Sequence, residues 1–260
     1  MKRLINNIIH FIARITQRRV SYSLDEQSDA QNQAKTIASV LNAWKGDAGF
    51  EYIGLGQNCN ASWYLKESEL KKASYPFDWI FTTPEIICHM LEDDFSIFLK
   101  RDEMVPLGID AGHNFYHASL FGHRNPAKSD TDYAFIQRCI NRWKTVMHKH
   151  IPILFVTIVL NEPEKRKRFE TGFTGNFKMP VNQKLADFQS AIKLIEALNP
   201  NSKFLFIEQH TETNFHLEIT HKTENQLWLK YACKGANSGV MYLNKLDDGI
   251  MKTILNGIRS

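Results

Sequence analysis

Continuous apolar segments alternate with amphipathic segments along most of this chain. The apolar segments are Tyr52–Leu55, Ile151–Leu160 and Lys203–Ile207, with weaker candidates at Asn114–Leu120 and Gln226–Tyr231. Helical spacing of apolar residues predicts helices at Ala61–Lys72, Pro84–Leu91, Asp132–His150, Asn182–Leu198 and Asp247–Ile258. Continuous apolar strands that alternate with helices predict an α/β fold, a single domain with a central, mostly parallel sheet flanked by helices.

The N-terminal region follows a different pattern. Residues 1–20 combine apolar positions near helical spacing with five basic residues, and no acidic residue precedes Asp25. This predicts a basic amphipathic helix, which either packs on the protein or a second copy, or lies on an anionic membrane surface through residues 1–19. The polar stretch Ser21–Gln33 predicts a linker, and Ala34–Trp44 a lead-in helix. We therefore divide the chain into residues 1–20, 21–48 and an α/β domain at 49–260.

Composition narrows the function classes. The hydrophobic content of 43% is ample for a core, and no run of residues is apolar enough to span a bilayer. The N-terminus lacks the features of a signal peptide. Four cysteines without a paired spacing predict reduced thiols rather than disulfides or a zinc finger. We expect a cytoplasmic protein, with peripheral contact at the inner membrane as an open alternative, without cofactor, metal or nucleic acid; the oligomeric state is not determined.

Cys59 is the strongest candidate for chemistry. The strand at Tyr52–Leu55 runs into Gly56, and the helix predicted from Ala61 follows almost at once. A thiol at such a junction lies at the positive end of the helix, which favours the nucleophilic thiolate. We therefore expect a lowered pKa for Cys59, whereas the alternative is a small buried residue with no reactivity.

A cysteine nucleophile requires a base, and three histidines are candidates. They are His117, His123 and His210, and the last directly follows the strand at Lys203–Ile207. Asp78 lies between aromatic residues in Pro76-Phe77-Asp78-Trp79, where it orients a histidine, caps a helix or binds an arginine.

Two further patterns have both a functional and a structural interpretation. Arg138 and Arg142 share one face of a predicted helix, where they either grip an anionic substrate group or carry solvated charge. Gly54-x-Gly56-x-x-Cys59 is a degenerate dinucleotide fingerprint in which cysteine replaces the third glycine. A nucleotide-binding α/β protein is therefore one alternative function.

Two motifs carry a resemblance to a known family. Gly54-Leu55-Gly56-Gln57-Asn58-Cys59 and Ser74-Tyr75-Pro76-Phe77-Asp78-Trp79, followed by Phe121-Gly122-His123, resemble a bacterial family described as putative papain-like cysteine peptidases, often encoded among surface-polysaccharide genes. The resemblance covers about residues 50–145. It implies that Cys59 is the nucleophile and favours His123 as its base, although Arg124 stands where the family tends to place an acidic or polar residue.

The order of elements points to a mechanism unlike that of papain. The Cys-Gly-Ser-Cys-Trp context of papain is absent, whereas a nucleophile after the first strand is the layout of the SGNH esterases. By this analogy the N–H of Gly56 or Cys59, or the Asn58 side chain, stabilises an oxyanion. Trp79 is a further candidate for contact with the substrate. We expect a cysteine-dependent hydrolase or acyltransferase acting on a small-molecule, glycan or peptide substrate. A non-catalytic scaffold of a membrane-associated glycan assembly complex is the other alternative.

Overall fold

The computed structural model describes residues 21–162, 170–180 and 182–259. The amphipathic helix predicted at residues 1–20 lies outside these ranges. The helices are α1 (Leu24–Lys45), α2 (Asn60–Glu67), α3 (Pro84–Glu92), α4 (Asp130–His148), α5 (Leu185–Leu198) and α6 (Lys245–Asn256), with a 3₁₀ turn at Arg101–Glu103. The strands are β1 (Glu51–Gly54), β2 (Met104–Leu107), β3 (Asp110–His113), β4 (Ile153–Leu160), β5 (Ser202–Thr211), β6 (His216–Lys222) and β7 (Gln226–Cys233).

Five strands form the central sheet in the order β1-β4-β5-β7-β6. The first four are parallel, and β6 pairs antiparallel to β7 at one edge. All eight residues of β4 are buried because helices cover both faces of the sheet. One face packs mainly on α3, α4 and α5, and the other on α1, α2 and α6. The predicted α/β class with a mostly parallel sheet is therefore confirmed.

The N-terminal part of the described chain differs from the predicted linker. Ser21–Gln33 is not a loose loop, because α1 begins at Leu24 and continues to Lys45. Ser23 and Glu26 form a reciprocal capping box at its start. The polar composition arises because α1 packs only one narrow stripe on the protein, including the buried residues Ala30 and Leu41.

Three further elements differ from those predicted from the sequence, each for a local physical reason. The predicted strand at Asn114–Leu120 is a turn, whose contacts include a hydrogen bond from the Ala118 N–H to the Gly172 carbonyl. The helix predicted to reach Lys72 ends at Glu67, and Glu69 adopts a left-handed φ of 54°. Strand β6 was missed because its alternating, partly charged pattern is that of a one-sided edge strand.

The small β2–β3 hairpin was also not predicted. It forms a two-stranded sheet of its own, and Ala111 of β3 bridges to Phe121. The hairpin therefore places Asp110, the first residue of β3, near the segment that contains Gly122 and His123. Across the described ranges, no helix combines the length and apolarity needed to cross a membrane.

Candidate functional site

The turn after β1 is packed tightly by side chains of the protein itself. A Cβ at Gly54 would lie 3.0 Å from the Ser62 Oγ and 3.1 Å from an Asp78 oxygen. A Cβ at Gly56, which has a φ of 85°, would lie 1.9 Å from the Thr82 Oγ1. Both glycines thus permit close packing of neighbouring segments, so the nucleotide-binding interpretation loses the open backbone on which it depends.

Asn58 and Cys59 form the start of α2. Cys59 occupies the N-cap position, and its side chain makes no capping hydrogen bond. The Asn58 Oδ1 instead accepts a hydrogen bond of 2.9 Å from the Asn60 N–H. This contact fixes the amide of Asn58, whose Nδ2 is buried and has no partner among the described residues. The corner therefore holds a thiol and an adjacent unused hydrogen-bond donor.

The Cys59 thiol is protonated in the resting protein. Burial, followed by the negative charges of Asp78 and Asp110, raises its pKa to about 11, against a lowering contribution from its own backbone N–H. The predicted lowered pKa is therefore wrong. The reason is that α2 has only eight residues, and its positive end does not offset desolvation and two nearby carboxylates.

Gly122, in the motif Phe121-Gly122-His123, lies close to the thiol. A methyl group at this position would lie 3.9 Å from the Cys59 Sγ. His123 follows directly, is exposed, and has a left-handed φ of 64°. Its N–H donates a hydrogen bond of 2.7 Å to Asp110 Oδ1. Cys59, His123 and Asp110 therefore belong to one cluster, although no hydrogen bond joins the Cys59 Sγ to a histidine in the ranges described.

Sequence reasoning missed Asp110 entirely. It lies 13 residues before His123 and outside the recognised motifs, and the β2–β3 hairpin brings it beside His123. The available signal in the sequence was an acidic residue at the start of the segment Asp110–His113. This segment has four residues, which is too short for hydrophobic periodicity to identify it as a strand.

His210 does not share a crevice with Cys59 in the way that was predicted. A shared crevice would require β1 and β5 to be neighbours, whereas β4 lies between them. Two interstrand steps separate the backbones of β1 and β5 by about 10 Å. The His210 Nε2 instead lies 3.0 Å from Glu208 Oε1 on the same strand. The position of β5 in the sheet therefore does not support His210 as the base for Cys59.

His117 is held within an aromatic cluster. Its ring stacks on Phe81 with centroids 4.7 Å apart and meets Phe173 edge-on at 4.6 Å. Its Nδ1 accepts a hydrogen bond of 2.9 Å from the Ser119 N–H. His117 is only 3% exposed. These contacts show that its ring packs in the interior of the protein.

Asp78 is engaged with groups other than histidine. Its carboxylate pairs with Lys71 and accepts hydrogen bonds from the Ser62 hydroxyl at 2.6 Å and the Tyr75 N–H at 2.5 Å. The basic partner is Lys71, not the arginine that was one of the three predicted roles. Ser62 lies on α2, so Asp78 anchors the helix that carries Cys59 rather than orienting a base.

A small, mostly apolar cavity lies near Gly122, and the cysteine in its lining is Cys139 rather than Cys59. Trp79 and Gly122 line it together with Phe121, Phe135 and Ile136, and its volume is about 20 Å³. Trp79 also borders the Gly122 backbone, since its carbonyl oxygen would lie 3.8 Å from a methyl group there. The predicted contact of Trp79 with a substrate stays a prediction.

The two candidate arginines lie elsewhere. Arg138 and Arg142 line a different depression, together with Glu51 and Lys72. Arg142 donates a hydrogen bond of 2.8 Å to the Ser74 carbonyl, which ties α4 to the loop before Tyr75. Neither arginine is among the residues that line the cavity near Gly122. In the described ranges, no three His, Cys, Asp or Glu side chains form a group suited to a metal.

Comparison with known proteins gives one match. No curated protein and no solved structure is significantly similar to the chain. A family model with the description putative papain-like cysteine peptidase matches residues 50–218, which include the Cys59 corner, the hairpin and His123. This match spans more than half of the sequence, and the chain belongs to the family of putative papain-like cysteine peptidases.

Proposed function

We propose that this protein is an acyl-transfer enzyme, a hydrolase or acyltransferase, in which Cys59 is the nucleophile. The observation that carries the proposal is the corner at the start of α2, where the Cys59 thiol follows a buried Asn58 amide whose Nδ2 has no partner among the described residues. A donor held in place by its own Oδ1 contact is suited to stabilise the oxyanion of a tetrahedral intermediate. Family membership supports the cysteine chemistry.

The raised pKa of Cys59 defines the kind of mechanism. A thiol with a pKa of about 11 is not a preformed thiolate at neutral pH. The thiol proton must therefore pass to a general base as Sγ attacks the acyl carbon, as it does from serine in serine hydrolases. The imidazolium then returns the proton to the leaving group, and water or an acceptor hydroxyl resolves the acyl-enzyme.

His123 is the base in this proposal, with Asp110 as its acidic partner. A methyl group on Gly122, the preceding residue, would lie 3.9 Å from the Cys59 Sγ, and in this proposal rotation of the exposed His123 side chain brings the imidazole towards the thiol. Asp110 already accepts a hydrogen bond from the His123 backbone N–H. Its carboxylate supplies a negative charge that stabilises an imidazolium. This assignment replaces Asp78, which is committed to Lys71.

The acyl acceptor is the remaining part of the proposal. The family resemblance associates such proteins with surface-polysaccharide genes, so a glycan hydroxyl is the acceptor we propose for the transferase form of the reaction. The alternatives of a scaffold of a glycan assembly complex and of a nucleotide-binding protein have no specific structural observation in their favour.

Covalent acylation tests the proposal directly. The protein is incubated with p-nitrophenyl esters and small-thiol thioesters of several chain lengths, and with a peptide p-nitrophenyl ester. Acylated residues are then mapped by mass spectrometry. We expect one acyl group on Cys59 in the wild type, none on Cys59→Ala, and normal acylation in Cys88→Ala, since Cys88 lies on α3. Absence of acyl-Cys59 with every probe would overturn the proposal.

A further inference from the structure

An open depression lies beside α4, at the opposite end of β1 from Cys59. Its volume is about 470 Å³, and its lining includes Glu51, Lys72, Arg138 and Arg142. Glu51 is the first residue of β1, whereas Cys59 follows the end of this strand. The four residues of β1 span about 10 Å. The depression is therefore separate from the corner to which we assign acyl transfer.

The basic side chains of this depression outnumber the acidic ones. Its lining contains three basic residues, Lys72, Arg138 and Arg142, and one acidic residue, Glu51, which gives a net charge of +2. Glu51 Oε1 accepts a hydrogen bond of 2.9 Å from the Tyr75 hydroxyl, and its Oε2 lies 4.0 Å from the Lys72 Nζ. The one carboxylate in the lining is thus engaged with these groups and not with the arginines.

Arg138 and Arg142 differ from the other arginines in the ranges that the structure describes. Three of these arginines each form an ion pair with a carboxylate, namely Arg101 with Asp130, Arg124 with Asp132 and Arg259 with Glu69. Arg138 and Arg142 pair with no carboxylate in the same ranges. Among the described arginines, the charge that no acidic side chain balances is therefore concentrated in this depression.

The Arg142 guanidinium is held in place by the backbone. Its Nη1 donates a hydrogen bond of 2.8 Å to the Ser74 carbonyl, and the side chain is half-buried. Its Nε and Nη2 have no hydrogen-bond partner among the described residues. Two N–H groups on one edge of a guanidinium can bind two oxygens of one phosphate group in parallel. Because this side chain is already ordered, it loses less conformational entropy on binding a ligand.

We propose that this depression binds a phosphate group, with Arg142 as the bidentate donor and with Arg138 and Lys72 as further cations. Arg138 lies four residues before Arg142 on the same helix, so the two side chains are neighbours on one face. A phosphate ester carries about −1.5 to −2 charges at pH 7. This charge complements the lining better than the single charge of a carboxylate does. The proposal does not depend on the chemistry of Cys59.

Calorimetric titration of the whole chain tests the proposal. Inorganic phosphate and glucose 6-phosphate are titrated at constant ionic strength, with glucose as the uncharged reference, so that general screening is the same throughout. We expect saturable binding of both phosphates to the wild type. Arg138→Gln removes one charge-assisted contact and should weaken the binding at least about tenfold. Arg142→Lys keeps the charge but lacks the planar fork, and it should also bind at least about tenfold more weakly.

Lys144→Gln is the matched control. It removes one positive charge from the same helix, but Lys144 pairs with Asp94 and is not part of the lining. We expect this variant to bind phosphate as the wild type does. Binding that is the same in Arg138→Gln and Arg142→Lys as in the wild type, or that falls equally in Lys144→Gln, would overturn the proposal.

Vesicles distinguish a soluble phosphate from a lipid headgroup as the source of the phosphate group. Phosphatidylcholine vesicles are compared with and without phosphatidic acid. Vesicle binding that requires phosphatidic acid and falls in Arg138→Gln but not in Lys144→Gln, without saturable binding of the soluble phosphates, would identify a lipid headgroup. Failure of the wild type to bind either soluble phosphate or the phosphatidic acid vesicles in this way would refute the site, whereas acylation of Cys59 tests the proposed function separately.

Discussion

Lys71 and Asp78 form an ion pair that is almost completely removed from solvent, with side-chain exposures of 7% and 0%. The same carboxylate receives the Ser62 hydroxyl of α2 and the Tyr75 N–H. The pair therefore connects the Pro-Phe-Asp-Trp segment to the helix that carries Cys59. Removing one member leaves a buried charge without its partner, which costs more than the pair itself contributes.

We expect Asp78→Asn to lower the free energy of unfolding by about 3–5 kcal/mol because Lys71 would remain buried and unpaired. Urea denaturation followed by tryptophan fluorescence measures this change. Asp130→Asn is the control, since Asp130 pairs with Arg101 but is 90% exposed, and its midpoint should stay close to the wild type. Equal midpoints for both variants would show that the buried pair does not anchor α2.

Gly56→Ala tests whether the glycines after β1 serve packing. The φ of 85° disfavours alanine, and the new methyl group would collide with Thr82 Oγ1. We expect a loss of about 2–4 kcal/mol in the free energy of unfolding. Gly49→Ala, with an ordinary φ and open space, provides the reference. A Gly56→Ala protein as stable as this reference would contradict the packing assignment.

The pH dependence of alkylation follows from the raised pKa of Cys59. Because the thiolate is the reactive form and the pKa is about 11, the iodoacetamide rate should rise about tenfold per pH unit from pH 7 to 10 without a plateau. Mass-spectrometric mapping at each pH measures the rate for each cysteine. A plateau below pH 8 would indicate a thiolate already formed in the resting protein.

Asp110 contributes to that pKa through its negative charge. Asp110→Asn should lower the pKa of Cys59 and therefore raise its alkylation rate at pH 8. The same variant should slow acyl transfer, because it removes the acidic partner proposed for His123. Asp130→Asn again serves as the control for surface charge. A variant in which both rates rise would remove Asp110 from the catalytic proposal while preserving its electrostatic effect.

Asn58→Asp separates the two hydrogen-bonding roles of this side chain. Aspartate keeps an oxygen that accepts from the Asn60 N–H, but it lacks the Nδ2 donor. We expect α2 to remain folded and kcat to fall about 10²–10³-fold, the usual loss on removing one oxyanion donor. Asn58→Ser, which also keeps the cap acceptor, shows whether the added charge contributes. Near-normal kcat in both variants would exclude Asn58 as the oxyanion donor.

Local sequence determined the elements whose signal lies in a single segment. The apolar runs of β4 and β5 are buried on both faces, so their composition alone identified them as central strands. The junction of β1, Gly56 and α2 likewise placed Cys59 at a helix start, because glycine and short polar residues punctuate such turns. The polar part of α1 was missed, since only a narrow stripe of that helix is buried.

The candidate site depended on contacts between distant segments, which only the tertiary structure decided. Strand order placed β4 between β1 and β5 and so removed His210 from the crevice. The β2–β3 hairpin places Asp110 beside His123, and Asp78 forms an ion pair with Lys71. The ionisation of Cys59 was decided in the same way, because desolvation and the charges of Asp78 and Asp110 depend on packing that no local pattern encodes.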